Sequence, residues 1–420
     1  MKYFQFSEFI FYYLLLNLTK HAIISLNLYI FYLSQIKTIC EVFWQLEQLF
    51  IELTLHNQNS CFWRMLIMRI KLAILEKDVS YLNRIVAVFN QKYSNKIQVY
   101  SFTNIEAVYK VLKETKIDVL LVSDYYSFDV SRIPIRCGFA YFIESNDIDT
   151  LNNKRTVCKY QKIDLIYKQI LSIYSENTEN ITGIKLTDDN CKVIAFCSPC
   201  GGSGVTSVAA GTALRFAAIG KKTLYLNLEK FGSSDILFSS EGQFDFSDII
   251  FALKSKKTNL SIKLESCVKR DSRGVFFYSS TKQALDMLEL TEDEISRLIS
   301  ELQITGSYDY IIVDIDFNMS EGFVKLLEIF HSIVIIGTGS EISNCKIFRL
   351  YSSLVIKENM DNSQLLNRVG LLYNKFSNKT SKTISGIDIK NIGGIPRFDH
   401  ATDIQVVEQI SKIAALDNIE

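Results

Sequence analysis

The sequence predicts an α/β protein made of two mostly parallel, helix-covered sheets in succession, and three observations predict it. Apolar strand runs alternate with helix-spaced apolar positions from residue 69 to about 175 and again from residue 192 onward. A short strand pattern, a glycine-rich turn and a small-residue helix pattern follow one another over residues 192–207. Between the two series, residues 176–191 (ENTENITGIKLTDDNC) are polar and aperiodic, as a connecting segment is. The expected partition is an aromatic-rich extension over 1–67, a first domain over 68–178, a linker over 179–191 and a second domain over 192–420.

Composition narrows the function classes. With 420 residues, 48% hydrophobic and 22% charged, the chain has ample material for two globular cores. Lys+Arg and Asp+Glu are equal at 46 each, so no nucleic acid partner is expected, because phosphate-backbone binding needs a basic surface. Nine cysteines are odd in number and scattered, which suits reduced thiols in a cytoplasmic protein better than a disulfide framework.

Residues 1–67 hold both tryptophans and few charges. Their apolar runs, 9–18 and 22–33, are each shorter than the roughly 20 residues of a membrane helix, and no secretory cleavage site follows. Three readings compete: a membrane-associated hairpin, a helical partner-binding extension, or an upstream stretch that is not translated. Met68 begins MRIKLAILEKD, which reads as a first strand and a natural start, and favours the third.

In the first domain, residues 70–75 form a strand ending in Glu76 and Asp78, and Val79, Leu82, Ile85, Val86 and Phe89 follow helical spacing. Residues 97–102, 117–122 and 139–143 are further strands. This region resembles a response-regulator receiver domain, a doubly wound fold. The resemblance makes Glu76 and Asp78 the strand-end acidic pair and Lys159 the late lysine, while the acceptor aspartate position falls on Ser123. Asp124 follows, but a shift of one residue points a strand side chain to the other face, so the resemblance implies a pseudo-receiver. The alternative is that these acidic residues are solvated strand ends.

The second domain opens with KVIAFCSPCGGSGVTS. Gly201, Gly202 and Gly204 allow backbone N–H groups to converge on phosphate oxygens at a helix N-terminus, and the Thr206 hydroxyl would ligate Mg²⁺. Cys197 and Cys200 also form a C-x-x-C pair, but a glycine run is the wrong continuation for a redox helix. The loop resembles the deviant Walker A motif of the MinD/ParA P-loop ATPases, Lys-Gly-Gly-x-Gly-Lys-Thr/Ser. Its lysines fall on Cys200 and Val205, its other positions on Gly201, Gly202, Ser203, Gly204, Thr206 and Ser207. The resemblance implies ATP or ADP with Mg²⁺, held weakly, because each lost ammonium bond is worth about 1.5–3 kcal/mol. Without a cation at Cys200 to cross a dimer toward the partner's phosphates, it also implies binding without hydrolysis.

Further strands are expected at 222–228, 310–315, 332–336 and 370–373, with a capping box at Thr291 and Glu294. Asp314 stands where a Walker B carboxylate holds Mg²⁺ through water; the alternative is a carboxylate capping a strand-to-loop turn. LYLNLEKFGSSD resembles the family's first switch, with Asn227 and Glu229 where two aspartates are usual. An amide cannot accept a proton from water, so Glu229 is the remaining candidate base. LLYNK resembles the strand end whose asparagine reads the purine, here Asn374, and GGIPRFD the loop framing the base, here Pro396.

A receiver-like domain followed by a MinD/ParA-like domain is the arrangement of CpaE/TadZ proteins, which the chain resembles over both parts. That resemblance implies a nucleotide-binding, hydrolysis-deficient localisation protein, a homodimer at the cell pole working with pilus-assembly or polar-localisation proteins. The alternatives are an active ATPase that takes a cation from Lys221, Lys222 or Lys230, or a nucleotide-free scaffold. No clear membrane helix is expected in the main body, since the amphipathic segment from residue 401 is acidic and a lipid-binding helix favours Lys and Arg.

Overall fold

Apolar, β-branched runs set up a first parallel sheet. The computed structural model describes residues 69–177, 191–255, 259–361 and 364–419; the extension and nearly all of the linker lie outside them. Two compact units divide the chain. One is Met1–Arg69 with Tyr93–Ile97, mostly outside the described residues, and the other, Ile70–Lys92 with Gln98–Glu420, holds every element below except the start of β2. In chain order the first sheet is built from Ile70–Leu75 (β1), Val79–Lys92 (α1), Ile97–Phe102 (β2), Ile105–Glu114 (α2), Val119–Ser123 (β3), Gly138–Ile143 (β4), Thr150–Leu151 (β5), Lys154–Cys158 (β6) and Ile163–Asn177 (α3).

Its strand order is β2-β1-β3-β4-β6-β5. The pairs β1/β3, β3/β4 and β4/β6 are parallel, and the short β5 returns antiparallel on β6. All five residues of β3 are buried, as a central strand with helices on both faces requires. The order reverses between β1 and β3, which opens the crevice at their carboxyl ends where such folds place a site.

The second sheet takes Lys192–Cys197 (β7), Val205–Ala218 (α4), Thr223–Asn227 (β8), Phe246–Lys254 (α5), Leu260–Cys267 (α6), Lys269–Arg270 (β9), Phe276–Phe277 (β10), Ala284–Leu288 (α7) and Glu292–Ile304 (α8). Tyr310–Asp314 (β11), Glu321–Leu327 (α9), Ser332–Gly337 (β12), Glu341–Asp361 (α10), Val369–Phe376 (β13), Lys390–Pro396 (β14) and Asp403–Ile410 (α11) complete it. The order is β14-β13-β12-β7-β11-β8-β10-β9, parallel throughout except for β9 against β10.

Alternation along the strands divides the core. Val193, Ala195 and Cys197 of β7, with Ile311 and Val313 of β11, face one apolar layer. Ile194 and Phe196, with Tyr310 and Ile312, face the other. The small residues of α4 have a direct packing reason: a β-carbon on Gly211 would lie 2.5 Å from Ile410 Cγ2, so α11 presses against the middle of α4.

The expected mixed α/β architecture is therefore observed. The strand expected at 117–122 starts two residues later, because Asp118 uses its carboxylate to accept the Lys71 N–H at 2.9 Å and its own N–H to reach the Lys71 carbonyl. The segment around Pro396, expected as a loop, ends an outermost strand, a position that tolerates a proline lacking its N–H donor.

Candidate functional site

Strand β7 delivers the chain to the glycine loop at the carboxyl edge of the second sheet. Gly202 and Gly204 take φ of +72° and +85°, a left-handed backbone that a β-carbon disfavours, and Gly204 is the N-cap of α4. A β-carbon on Gly201 or Gly202 would meet nothing within 4 Å, whereas one on Gly204 would lie 2.4 Å from Asn374 Nδ2. The rim is open where phosphate oxygens would approach, and the inner turn is closed.

Cys200 and Val205, the two positions where the resemblance would put lysines, are turned into packing. Cys200 is buried, with Sγ 3.6 Å from Ser343 Oγ, and Val205 packs on the apolar layer that holds Phe196 and Val208. Ser198 Oγ donates to the Ile336 carbonyl at 2.6 Å and accepts from the Cys200 N–H at 3.0 Å, which ties the loop to β12. Burial, and then the Asp314 carboxylate, push the Cys197 thiol up to about 12, so this member of the C-x-x-C pair holds its proton. Both cysteines are free thiols.

Asp314 closes β11 beneath the loop and is fully buried. Tyr225 OH donates to its Oδ2 at 2.8 Å, and Asn227 Nδ2 donates to Tyr225 OH at 3.2 Å and to Glu229 Oε2 at 3.4 Å. Thr206 Oγ1 donates to Glu229 Oε2 at 3.1 Å, and the Glu229 N–H donates to Asn227 Oδ1 at 2.9 Å. Gly232 is pressed against this cluster, since a β-carbon there would lie 2.1 Å from Asn227 Oδ1. Burial, and then the charge of Glu229, hold the Asp314 carboxyl well above the usual range. Burial also raises Glu229, against hydrogen bonds from Thr206 and Asn227 that lower it.

A magnesium nucleotide can be tested against these atoms. Asp314 Oδ1 is buried and has no hydrogen-bond partner. With Thr206 Oγ1 and the Glu229 carboxyl it makes a set of hard oxygen donors, the kind Mg²⁺ takes, next to an open glycine rim. These oxygen types suit Mg²⁺ and phosphate provided that the Asp314 carboxyl gives up its proton on binding the metal. Asn374 is buried; its Nδ2 donates to the Ser203 carbonyl at 2.8 Å and its Oδ1 accepts the Lys375 N–H at 2.9 Å, so both ends are engaged within the loop. Pro396 lies exposed, paired with Phe376 at the end of β14. Ser207 sits half-buried in the first turn of α4, and Ser203 Oγ is buried without a partner.

Three participants are not evident from sequence pattern as read above. Tyr225 is within reach of such a reading, because a residue two before Asn227 faces the same side of a strand. Ser343 and Lys375 arrive from distant elements. Of the candidate cations, Lys221 and Lys222 precede β8 and stand at the opposite end of the parallel sheet from the loop, while the Lys230 N–H donates to Asp316 Oδ2 at 2.8 Å.

The crevice of the first sheet is filled by an ion pair. Lys159 Nζ lies 2.8 Å from Glu76 Oε2 and 3.0 Å from Ser123 Oγ, all three side chains being buried. Asp78 does not join Glu76: its Oδ1 accepts the N–H groups of Ser80 at 2.8 Å and Tyr81 at 3.1 Å and caps α1. Asp124 is largely exposed and approaches Lys159 Nζ only to 3.9 Å. The position of an acceptor carboxylate is held by a hydroxyl already bonded to the lysine.

Residues 68–175 match the family model described as TadZ-like, receiver domain. The chain is also similar to a putative septum site-determining protein MinD of Emiliania huxleyi, 24% identical over 220 residues that cover 51% of this chain and 76% of that one. Among solved structures, a ParA family ATPase from Chlorobium tepidum TLS is 21% identical, covering 55% of this chain and 98% of its own, with a TM-score of 0.43. A chain of the MinC:MinD cell division protein complex of Aquifex aeolicus is 18% identical, covering 54% of this chain and 94% of its own, with a TM-score of 0.42. MinD complexed with Mg-ADP from Pyrococcus horikoshii OT3 is 14% identical, covering 53% and 94%, with a TM-score of 0.40. Among the described residues, no helix is long and apolar enough to cross a membrane.

Proposed function

We propose that this chain is a nucleotide-binding, hydrolysis-deficient localisation and assembly protein of the CpaE/TadZ type, which places Flp/Tad pilus machinery at the cell pole. Its parts on this reading are a pseudo-receiver domain over 68–178, a linker over 179–191 and a MinD/ParA-like domain over 192–420, working as a cytoplasmic homodimer. The match of residues 68–175 to the TadZ-like receiver domain and the similarity to a MinD protein support the family. One observation carries the chemistry: the left-handed turn at Gly202 and Gly204 ahead of Thr206 is kept, while Cys200 and Val205 are committed to packing.

Each group then has a limited task. The backbone of residues 201–204 and the N-terminus of α4 would hold phosphate oxygens, and Thr206, Glu229 and Asp314 would hold Mg²⁺, which supplies charge neutralisation to the phosphates when bound. Hydrolysis has no equipped base. Asn227 is an amide, and the Glu229 carboxyl is engaged by Thr206 and Asn227. A second reading, the nucleotide-free scaffold, is favoured by the hydrogen bonds from Asn374 and Lys375 that close the loop without any ligand.

Calorimetric titration of the full chain with Mg-ATP, paired with phosphate-release assays, tests the proposal. Expected are saturable binding with a Kd in the micromolar to millimolar range, one to two decades weaker than an intact loop by the lost ammonium bond, and phosphate release at background. Turnover abolished by Asp314→Asn would instead establish an active ATPase, and absence of binding at millimolar ATP would establish the scaffold.

A further inference from the structure

We infer that Lys375, the residue after Asn374 near the end of β13, is the cation with which the glycine loop engages nucleotide phosphate, in place of the ammonium missing at Val205. This rests on the nucleotide-binding reading. The Lys375 ammonium reaches back across the sheet edge to the loop, with Nζ 2.9 Å from the Gly202 carbonyl oxygen. Its Cε lies 3.7 Å from where a β-carbon on Gly204 would sit. The side chain therefore lies along the rim left open by Gly201 and Gly202.

The backbone is bent to send it there. Lys375 has φ of +56°, a left-handed conformation that side-chain-bearing residues rarely adopt. It is fixed by Asn374, which accepts the Lys375 N–H on Oδ1 and donates from Nδ2 to the Ser203 carbonyl. A strained residue persists where its surroundings over-determine it, and such residues gather at ligand sites. The Asn374–Lys375 pair is thus stapled to residues 202–204 at two carbonyls, and the direction of the lysine is set by the fold.

The charge is also available. Among the described residues Lys375 makes no ion pair with a carboxylate, and its residue is exposed. An ammonium has three donors, and a single neutral carbonyl takes one. Lysine binds phosphate as a mobile point charge without needing a planar fork, so leaving the Gly202 carbonyl for a bound phosphate oxygen exchanges a neutral acceptor for a charged one. Lys221 and Lys222 are at the wrong end of the sheet, whereas the Lys375 ammonium is hydrogen-bonded to the loop itself.

The test uses the full chain and reads affinity. Mg-ATP, Mg-ADP and adenosine are titrated by calorimetry into wild type, Lys375→Met, Lys375→Arg and Lys375→Gly, with thermal unfolding of each. Expected is a roughly ten- to hundredfold weaker Kd for ATP in Lys375→Met, the loss of one charge-assisted bond, with adenosine unaffected and most affinity recovered in Lys375→Arg. Lys375→Gly separates charge from folding: it relieves the left-handed strain, so it unfolds at the same or a higher temperature than wild type, yet loses ATP affinity as Lys375→Met does. Wild type that binds ATP while Lys375→Met and Lys375→Gly bind it equally well overturns the role of Lys375 alone. Wild type that binds no ATP at millimolar concentration overturns the nucleotide reading and this inference with it.

Discussion

Gly204 shows at the scale of one residue why the glycines of the loop are retained although both lysines are gone. Its φ of +85° and the 2.4 Å that would separate an added β-carbon from Asn374 Nδ2 are demands of the turn itself, made by the contact that closes it. Gly204→Ala is therefore expected to cost about 1–3 kcal/mol, the range for a residue forced into a sparsely populated backbone region, plus displacement of Asn374 from the Ser203 carbonyl. Urea denaturation measures it, and a change below about 0.5 kcal/mol would mean that the turn relaxes freely. The glycine turn was legible in sequence because Gly201, Gly202 and Gly204 stand between a strand pattern and a helix pattern, and the resemblance to MinD/ParA ATPases is what added Thr206 and Asp314. Their partners were not legible. Asn374 is 171 positions from Ser203, and Cys200 is 143 positions from Ser343, so no local pattern announces either contact. Asp78 illustrates a different loss: an acidic residue at a strand end and a helix N-cap look identical in sequence when only three residues separate strand from helix.

Elements were the most readable level, since they follow from local periodicity and capping chemistry. Thr291 and Glu294 were expected to form a capping box, and they do: the Glu294 N–H donates to Thr291 Oγ1 at 3.3 Å and the Thr291 N–H to Glu294 Oε2 at 2.9 Å, starting α8. Loss of an N-cap hydroxyl typically costs about 1 kcal/mol. Thr291→Ala is expected to lower stability by that amount in chemical denaturation without altering nucleotide affinity, because α8 lies away from the loop residues. An unchanged midpoint would show that Glu294 holds the helix start by itself. The two-residue strands β9 and β10 were invisible for the opposite reason. Lys269 and Arg270 carry no strand-like alternation, and they enter the sheet only because Phe276 and Phe277 pair in parallel with β8 and then accept them as an antiparallel edge.

At the scale of the molecule, a cation buried between α3, α5 and α6 joins the receiver-like part to the sheet that carries the glycine loop. Lys263 Nζ donates to Ser172 Oγ at 2.8 Å and to Asp248 Oδ1 at 3.1 Å, and lies 3.7 Å from Glu176 Oε1 and 4.9 Å from the Phe244 ring. Its side chain is 2% exposed, while those of Asp248 and Glu176 are 29% and 28% exposed. Around it Tyr167 OH donates to Glu265 Oε1 at 3.0 Å, Gln169 Nε2 to Gln243 Oε1 at 2.6 Å, and the Asn259 N–H to the Ser175 carbonyl. An aperiodic polar stretch in the sequence suggests two domains on a tether, but these contacts bring together residues about a hundred positions apart within one compact unit. Removing one partner from a buried ion pair costs about 3–5 kcal/mol, because the remaining charge is left desolvated; the partial exposure of both carboxylates reduces this to about 2–3 kcal/mol. Lys263→Met, which keeps the apolar stem, is expected to lose that much and to uncouple the two parts. Hydrogen exchange read by peptide is the suitable measurement. In wild type, increasing urea should release protection in α3 and α6 together, whereas in Lys263→Met α3 should open at lower urea than β7 and β11. Release of α3 and α6 at the wild-type urea concentration in the variant would show that the interface is held by its apolar contacts and that the buried lysine contributes no coupling between the two sheets.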